Sequence, residues 1–178
     1  RVLLTAALAD ATNLGLTRMA EACSLASYRR LAWTACWHLV EENYSRALAR
    51  IVAAQQALPL SAVFGDATTS SSDGQHFPLG GQAEATGAIN PHKSAAAAVA
   101  FYTWVSGRYA PFHTKAISVS EGEAAHVIDG LLYHGGGVDI AVHHTDGGGV
   151  SDHVFGLCHL LGFRFAPRIP NLAERRLH

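Results

Sequence analysis

The chain has 178 residues, which suits one ordinary domain or one domain with a helical appendage. Apolar residues make up 49% of it, so a disordered chain is excluded and a substantial core is possible. The formal net charge of −1 is not the strongly basic balance of a free-standing nucleic-acid-binding domain. That balance argues against DNA as a partner, unless the basic surface lies elsewhere in a longer protein.

Other features of the sequence indicate the cellular compartment in which the chain is expected. The three cysteines include no C-x-x-C pair, which favours a reducing intracellular environment. No apolar run reaches membrane-spanning length, and the first residues show no signal-peptide pattern. The chain begins at Arg1 without an initiator methionine, so we expect it to be a segment of a longer protein.

Residues 1–60 carry Ala-rich and apolar segments at helical spacing and predict a helical region that stops near Pro59. Beyond it, VFGDATTSSSDGQHF (63–77) is rich in β-branched and hydroxyl residues and predicts a strand. AAAVAFYTWV (96–105) and APFHTKAISVS (110–120) predict two further strands, with SGRYA as the turn of an antiparallel hairpin.

The remaining segments predict an alternation of helices and strands. EGEAAHVIDGLLYH (121–134) has acidic residues in its first turn, as a helix prefers, and VDIAVHHTD (138–146) alternates like a strand. A helix capped by Ser151 or Asp152 follows, and FRFAPRI (163–169) predicts a short strand.

This order of elements predicts the fold class. Three strands in antiparallel succession, a helix, and a strand that ends in an acidic residue are typical of a ribonuclease-H-like sheet. We therefore expect an α+β chain, with a helical region at 1–60 and the first part of a ribonuclease-H-like domain at 61–178. The domain would contain a mixed sheet with flanking helices.

Two carboxylates stand out by their placement in that order. Asp73 lies inside the first predicted strand and Asp146 ends the strand after the predicted helix. If those strands are neighbours, the two side chains can share divalent cations and support phosphoryl transfer. The competing interpretation is that each is a turn or cap residue. Asp66 competes with Asp73 as the first ligand, although its position after Gly65 favours a turn.

Histidines and basic residues give weaker signals. Most of the 11 histidines are expected to be partly exposed polar residues, since no pair has convincing metal-ligand spacing on a helix. The exception is His113, which lies close to Lys115 on one face of a predicted strand, where both could meet a phosphate.

The run FGDATTSSSDGQHF resembles the core of the transposases of the Tn3 family, the large replicative transposases of bacterial class II transposons. Further stretches match in the same order, and the resemblance covers essentially the whole chain. They are ADATNLGLTRMAEA, ENYSRALARIVAAQ, EATGAINPHK, FYTWVSGRYAPFHTK, VIDGLLYH, HHTDGGGVSDHVFGLCHLLGFRFAPRI and NLAERRLH.

The resemblance implies a ribonuclease-H-like domain whose D-D-E triad binds two Mg²⁺ or Mn²⁺ ions. Such enzymes nick the transposon ends and join the freed 3′-hydroxyls to target DNA without a covalent protein–DNA intermediate. By motif, Asp73 and Asp146 are the first two carboxylates. The implied partners are terminal inverted repeats and target DNA, with a homodimer of the whole protein in the bacterial cytosol.

Other residues in the matching motifs are implied to bind DNA strands or support the site: His113, Lys115, Asp152, His153, Arg164 and Arg168. The third carboxylate of the family lies beyond residue 178, and Glu174 is expected to be a surface residue. The chain alone is therefore expected to be inactive. The alternative is a degenerate remnant that only binds DNA or a partner protomer.

Overall fold

The structure is a computed structural model that describes residues 1–79, 97–135 and 137–169. The chain divides into two compact units, Arg1–Ala47 and Leu48–His178. None of the helices in the described ranges is both long and apolar enough to cross a membrane.

The first unit is helical. It contains α1 (Val2–Ala11), α2 (Leu16–Ala22), α3 (Tyr28–His38) and the first turns of α4 (Glu41–Gln56). Buried apolar side chains from α1, α2 and α3 meet in a small core of Ala6, Ala9, Met19 and Leu31. Two of these four are alanines, so the helices α1 and α3 can approach closely.

The second unit is built on a five-stranded sheet whose spatial order is β3-β2-β1-β4-β5. The first three strands form an antiparallel meander, whereas β4 pairs with β1, and β5 with β4, in parallel. This mixed sheet with helices confirms the predicted fold class. The strands are β1 (Thr69–Pro78), β2 (Ala98–Ser106), β3 (Pro111–Ser118), β4 (Val142–Thr145) and β5 (Arg164–Phe165).

The core of the second unit lies on one face of this sheet. Tyr102 and Trp104 of β2 are fully buried there, and their rings meet edge to face at 4.7 Å between centroids. Val52, from the second half of α4, belongs to the same core. Because side chains alternate along a strand, Phe101 and Thr103 point to the opposite, more open face.

The segment after β3 differs from the predicted continuous helix over 121–134, and that prediction was wrong. The chain forms a 3-10 turn at Glu123–His126 and a four-residue helix, α5 (Asp129–Leu132). The carbonyl of Val127 accepts a hydrogen bond from the Trp104 indole N–H at 3.0 Å. In a continuous α-helix that carbonyl would also accept from the N–H of Leu131, which instead donates to the carbonyl of Ile128. The last helix, α6 (Asp152–Leu161), begins at a Ser151 cap as expected.

Close packing of α5 on β2 makes Gly130 sensitive to substitution. A Cβ at this position would overlap the Trp104 indole, which is buried and held by its bond to Val127. We expect Gly130→Ala to lower the free energy of unfolding by about 1–3 kcal/mol, because an overpacked core must shift. Urea denaturation measures this change. Gly156→Ala is the control, since nothing lies near its Cβ in α6 and the change should raise stability by about 0.5–1 kcal/mol.

Candidate metal centre

The parallel pairing of β1 and β4 places two aspartates side by side. Ser72 is in register with Thr145, so Asp73 and Asp146 are the next residues of two adjacent strands. Both side chains are exposed. The prediction that these two strands are neighbours in the sheet is therefore confirmed.

Backbone N–H groups orient both carboxylates. The N–H of Gly74 donates to Asp73 Oδ1 at 2.8 Å, and the N–H of Gly148 donates to Asp146 Oδ1 at 2.9 Å. The second bond caps a 3-10 turn at Gly147–Gly149. Each aspartate is thus held by the residue or turn that directly follows it, which limits the side-chain conformations it can adopt.

A third carboxylate joins the two aspartates. Oxygen atoms of Asp73, Glu123 and Asp146 all lie within 4.8 Å of one another. Glu123 comes from the 3-10 turn after β3 and is only 7% exposed, whereas the aspartates are open to solvent. The sequence did not single out Glu123, because an acidic residue at this position is ordinary in the first turn of a helix.

The chemistry of this cluster fits a divalent cation. Carboxylate oxygens are the ligands that Mg²⁺ and Mn²⁺ prefer. Oxygens bound to one Mg²⁺ at about 2.1 Å are about 3–4 Å apart, and the oxygens of this cluster lie within 4.8 Å of one another. Two ions about 3.5–4 Å apart can also be bridged by carboxylates at this separation.

A buried polar network lies behind the two aspartates, on the core face of the sheet. The ring of His143 contacts Ser70 Oγ through Nδ1 at 2.8 Å and Ser72 Oγ through Nε2 at 2.9 Å. Ser72 Oγ also meets the Tyr102 hydroxyl at 2.7 Å. His143 has no exposed surface, and burial lowers its pKa to about 4, so the ring is neutral at physiological pH. It therefore links β4 to β1 beside the residues that carry the carboxylates.

The pKa of the buried Tyr102 hydroxyl is affected by burial, by one hydrogen bond and by the three acids. Burial raises the pKa of its hydroxyl well above the usual range, and the bond to Ser72 partly opposes this effect. The negative charges of Glu123, Asp146 and Asp73 raise that pKa further. The Tyr102 hydroxyl therefore stays protonated.

His113 and Lys115 lie on the side of the sheet opposite to Asp73. In the pairing of β2 with β3, His113 is opposite Trp104 and Lys115 is opposite Tyr102, so both lie on the core side of the sheet. Asp73 is opposite Thr103 and lies on the other side. The His113 ring packs on Trp104 at 4.9 Å between centroids, and Lys115 Nζ pairs with Asp129 Oδ2 at 2.6 Å.

The other residues of the matching motifs that are implied to bind DNA or support the site are spread around β4. The backbone N–H of Arg168 donates to the carbonyl of Thr145 at 2.7 Å, directly before Asp146. Arg164 pairs with Val142 at the opposite end of β4. Asp152 and His153 are exposed at the start of α6. Of this set, Arg168 has its backbone closest along the sheet to the carboxylates.

Asp66 forms a turn before β1 and takes no part in the cluster. Its carboxylate accepts hydrogen bonds from the backbone N–H of Thr68 at 2.9 Å and from the Thr68 hydroxyl at 2.7 Å. These bonds lower the pKa of Asp66. It borders a cavity with Arg164 and His159, at the end of β4 opposite Asp146. Glu174 lies outside the described residues.

Known proteins match the chain along its whole length. The transposases for transposons Tn3926 and Tn21 of Escherichia coli are 52% and 50% identical to it, and that for Tn501 of Pseudomonas aeruginosa is 49% identical. Each match covers 99% of this chain, which spans 18% of the length of each relative.

Similarity to solved structures is weaker. A Mos1 transposase paired-end complex with the left transposon end has a TM-score of 0.37 and 11% identity, over 96% of this chain and 59% of that one. The family model described as the Tn3 transposase DDE domain matches residues 1–178. The chain therefore belongs to the Tn3 transposase DDE domain family.

Proposed function

We propose that the chain is part of the catalytic core of a DNA transposase that cuts transposon ends and transfers the strands to target DNA with divalent metal ions. The observation that carries this proposal is the meeting of Asp73 and Asp146, with Glu123, within 4.8 Å in a chain of this family. Replicative transposition of a class II element is the process that the proposal assigns to it.

In this proposal Asp73 and Asp146 hold the metal. Divalent ions bound there would activate a water or 3′-hydroxyl nucleophile and stabilise the departing oxygen during in-line phosphoryl transfer. The backbone N–H groups of Gly74 and Gly148 keep the two carboxylates oriented. The neutral His143 keeps β1 and β4 in the register that brings the aspartates together.

The whole protein's partners belong to the same proposal. The chain spans 18% of the length of its relatives. We assign residues 61–178 to the first part of the catalytic domain, and the resemblance to the family implies a third carboxylate beyond residue 178. The whole protein would act as a homodimer on terminal repeats and target DNA in the bacterial cytosol. His113, Lys115, His153, Arg164 and Arg168 stay proposed DNA contacts, and Arg168 has the strongest positional support.

The test is strand cleavage by the whole protein on a duplex that carries the terminal inverted repeat of its own element. We expect a nick at the 3′ end of the transposon with Mg²⁺ or Mn²⁺ and none with EDTA, because the carboxylates act through the ion. The products are measured on denaturing gels. Equal cleavage with and without EDTA would exclude the metal-dependent reaction.

The same experiment separates the alternative, a degenerate remnant that only binds DNA or a partner protomer. Such a protein would retain the duplex in a binding assay and leave both strands intact with either metal. Retention without cleavage, in a protein whose carboxylates are all present, would support the binding module instead.

A further inference from the structure

Glu123 reaches the two aspartates from a different part of the chain. It follows β3 and precedes Asp146 in the sequence, whereas the resemblance places the third carboxylate of the family after Asp146 and beyond residue 178. Glu123 is therefore a different residue from that one. Its position is set by the 3-10 turn that replaces the predicted helix.

The Glu123 carboxylate lies close to the backbone of two glycines. A Cβ at Gly74 would lie 2.7 Å from Glu123 Oε1, and a Cβ at Gly148 would lie 2.7 Å from Glu123 Oε2. Gly74 directly follows Asp73, and Gly148 is two residues after Asp146. The carboxylate of Glu123 thus fills the space beside the backbone of both metal-site loops.

These glycines are needed for space rather than for backbone conformation. The described glycines with positive φ are Gly15, Gly137 and Gly162, so neither Gly74 nor Gly148 has the left-handed conformation that favours glycine. Any residue can adopt their backbone angles, but a side chain at either would displace the Glu123 carboxylate. Because Gly74 and Gly148 have no side chains, the Glu123 carboxylate can lie within reach of Asp73 and Asp146.

Burial gives Glu123 a reason to prefer a cation. A carboxylate that is 7% exposed has lost most of its hydration, and two further carboxylates lie within 4.8 Å. Mutual repulsion of three such groups is strongest where solvent is excluded. His76 Nε2 lies 3.7 Å from Glu123 Oε1, but a divalent ion among the three carboxylates offsets the repulsion of all of them at once.

We propose that Glu123 is a metal ligand of this site, a carboxylate that the turn after β3 contributes in addition to Asp73, Asp146 and the family's downstream acid. The inference rests on the proposed function and deepens it. Glu123 would bind the same ion or ion pair from the buried side, which leaves the exposed aspartates facing the solvent side where DNA must approach. The site would then retain a divalent ion before DNA binds.

The test is Mn²⁺ binding to the protein without DNA, followed by electron paramagnetic resonance of free Mn²⁺ and by calorimetry. We expect Glu123→Gln to weaken Mn²⁺ at least about tenfold, because affinity in such sites follows the number of charged ligands. The matched control is Glu121→Gln. Glu121 lies two residues before the turn Glu123–His126, is exposed and pairs with His126 at 3.1 Å, so its loss should leave Mn²⁺ affinity unchanged.

A second variant tests the same geometry without removing a charge. The three atoms nearest to a Cβ at Gly74 all belong to the Glu123 side chain, so Gly74→Ala should move that side chain and leave the strand intact. Alanine in a strand interior does not destabilise it relative to glycine. We expect Gly74→Ala to weaken Mn²⁺ in the same direction as Glu123→Gln, with an unfolding midpoint in metal-free buffer no lower than that of the wild type.

Asp73→Asn and Asp146→Asn keep the two proposals distinguishable. If both of these variants lose Mn²⁺ while Glu123→Gln binds it like the wild type, Glu123 is not a ligand and the proposed function stands. If no aspartate variant changes Mn²⁺ affinity, the metal site itself is wrong. If Glu123→Gln lowers only the unfolding midpoint, with unchanged Mn²⁺ affinity of the folded protein, its role is structural and the inference is overturned.

Discussion

Asp73→Asn and Asp146→Asn should each reduce strand cleavage and strand transfer by about 10³-fold or more in the protein that carries this chain. Metal ions supply several kcal/mol of charge stabilisation in phosphoryl transfer, and each 1.4 kcal/mol is worth about a factor of ten in rate. Asparagine keeps the size and one acceptor oxygen of each side chain, so the backbone bonds from Gly74 and Gly148 can persist. Nicked and joined products on a terminal-repeat duplex measure both steps.

The control for this prediction is Asp66→Asn. Asp66 was the sequence-based competitor of Asp73, and it lies in the same approach to β1 but binds Thr68 in its own turn. Its substitution should leave cleavage within about twofold of the wild type, since surface turn residues act mainly on local stability. Loss of activity in Asp66→Asn with full activity in Asp73→Asn would reverse the assignment. Circular dichroism before the assay establishes that each variant is folded.

Local patterns were enough to predict the strands and their order along the chain, whereas their neighbours in the sheet were expected by analogy with a ribonuclease-H-like sheet. The hydroxyl-rich run around Asp73 and the alternation before Asp146 predicted β1 and β4, and the hairpin at SGRYA predicted the meander. Alternation has a period of two and survives without knowledge of tertiary contacts. Adjacent placement of Asp73 and Asp146 follows once β1 and β4 are neighbours, because both acids come at equivalent positions in register.

Glu123 was out of reach of the same reasoning. Its approach to the aspartates depends on the 3-10 turn Glu123–His126, which forms where the sequence predicts a continuous helix. It depends also on the empty space at Gly74 and Gly148, which belong to other segments. Neither feature has a local signature, and an acidic residue after β3 is equally typical of a helix start. A pattern of glycines beside both aspartates was the one signal present in the sequence.

For His113 and Lys115 the sequence predicted the strand that carries them but not the face of the sheet on which they lie. Period-two spacing correctly places the two on one face of β3, since they lie opposite Trp104 and Tyr102. Which face that is depends on how the sheet packs against α4 and the turn after β3. Burial of the large rings of β2 decides it, and His113 and Lys115 follow them to the core side.

His143→Leu should destabilise the protein by roughly 1.5–4.5 kcal/mol at neutral pH. The substitution takes the imidazole away from two buried hydroxyls, those of Ser70 and Ser72. Ser70 is left without that partner, at about 1–3 kcal/mol, whereas Ser72 keeps its bond to the Tyr102 hydroxyl and loses one ordinary hydrogen bond, at about 0.5–1.5 kcal/mol. Chemical denaturation in metal-free buffer measures the loss. His144→Leu is the matched control, because the neighbouring ring is exposed and bonds only to the Ala166 carbonyl among the described residues.

The cost of His143→Leu should also shrink as the pH falls. Burial lowers the pKa of His143 from its ordinary value of 6.5 to about 4, so the folded protein keeps the ring neutral where the unfolded chain binds a proton. Between those two values the wild type therefore loses stability with falling pH, by up to roughly 3 kcal/mol for a shift of this size. Leucine does not titrate, so the variant lacks this loss and the two unfolding free energies converge towards pH 4. An equal cost at pH 7.5 and pH 5 would show that His143 is not a neutral buried link between β1 and β4.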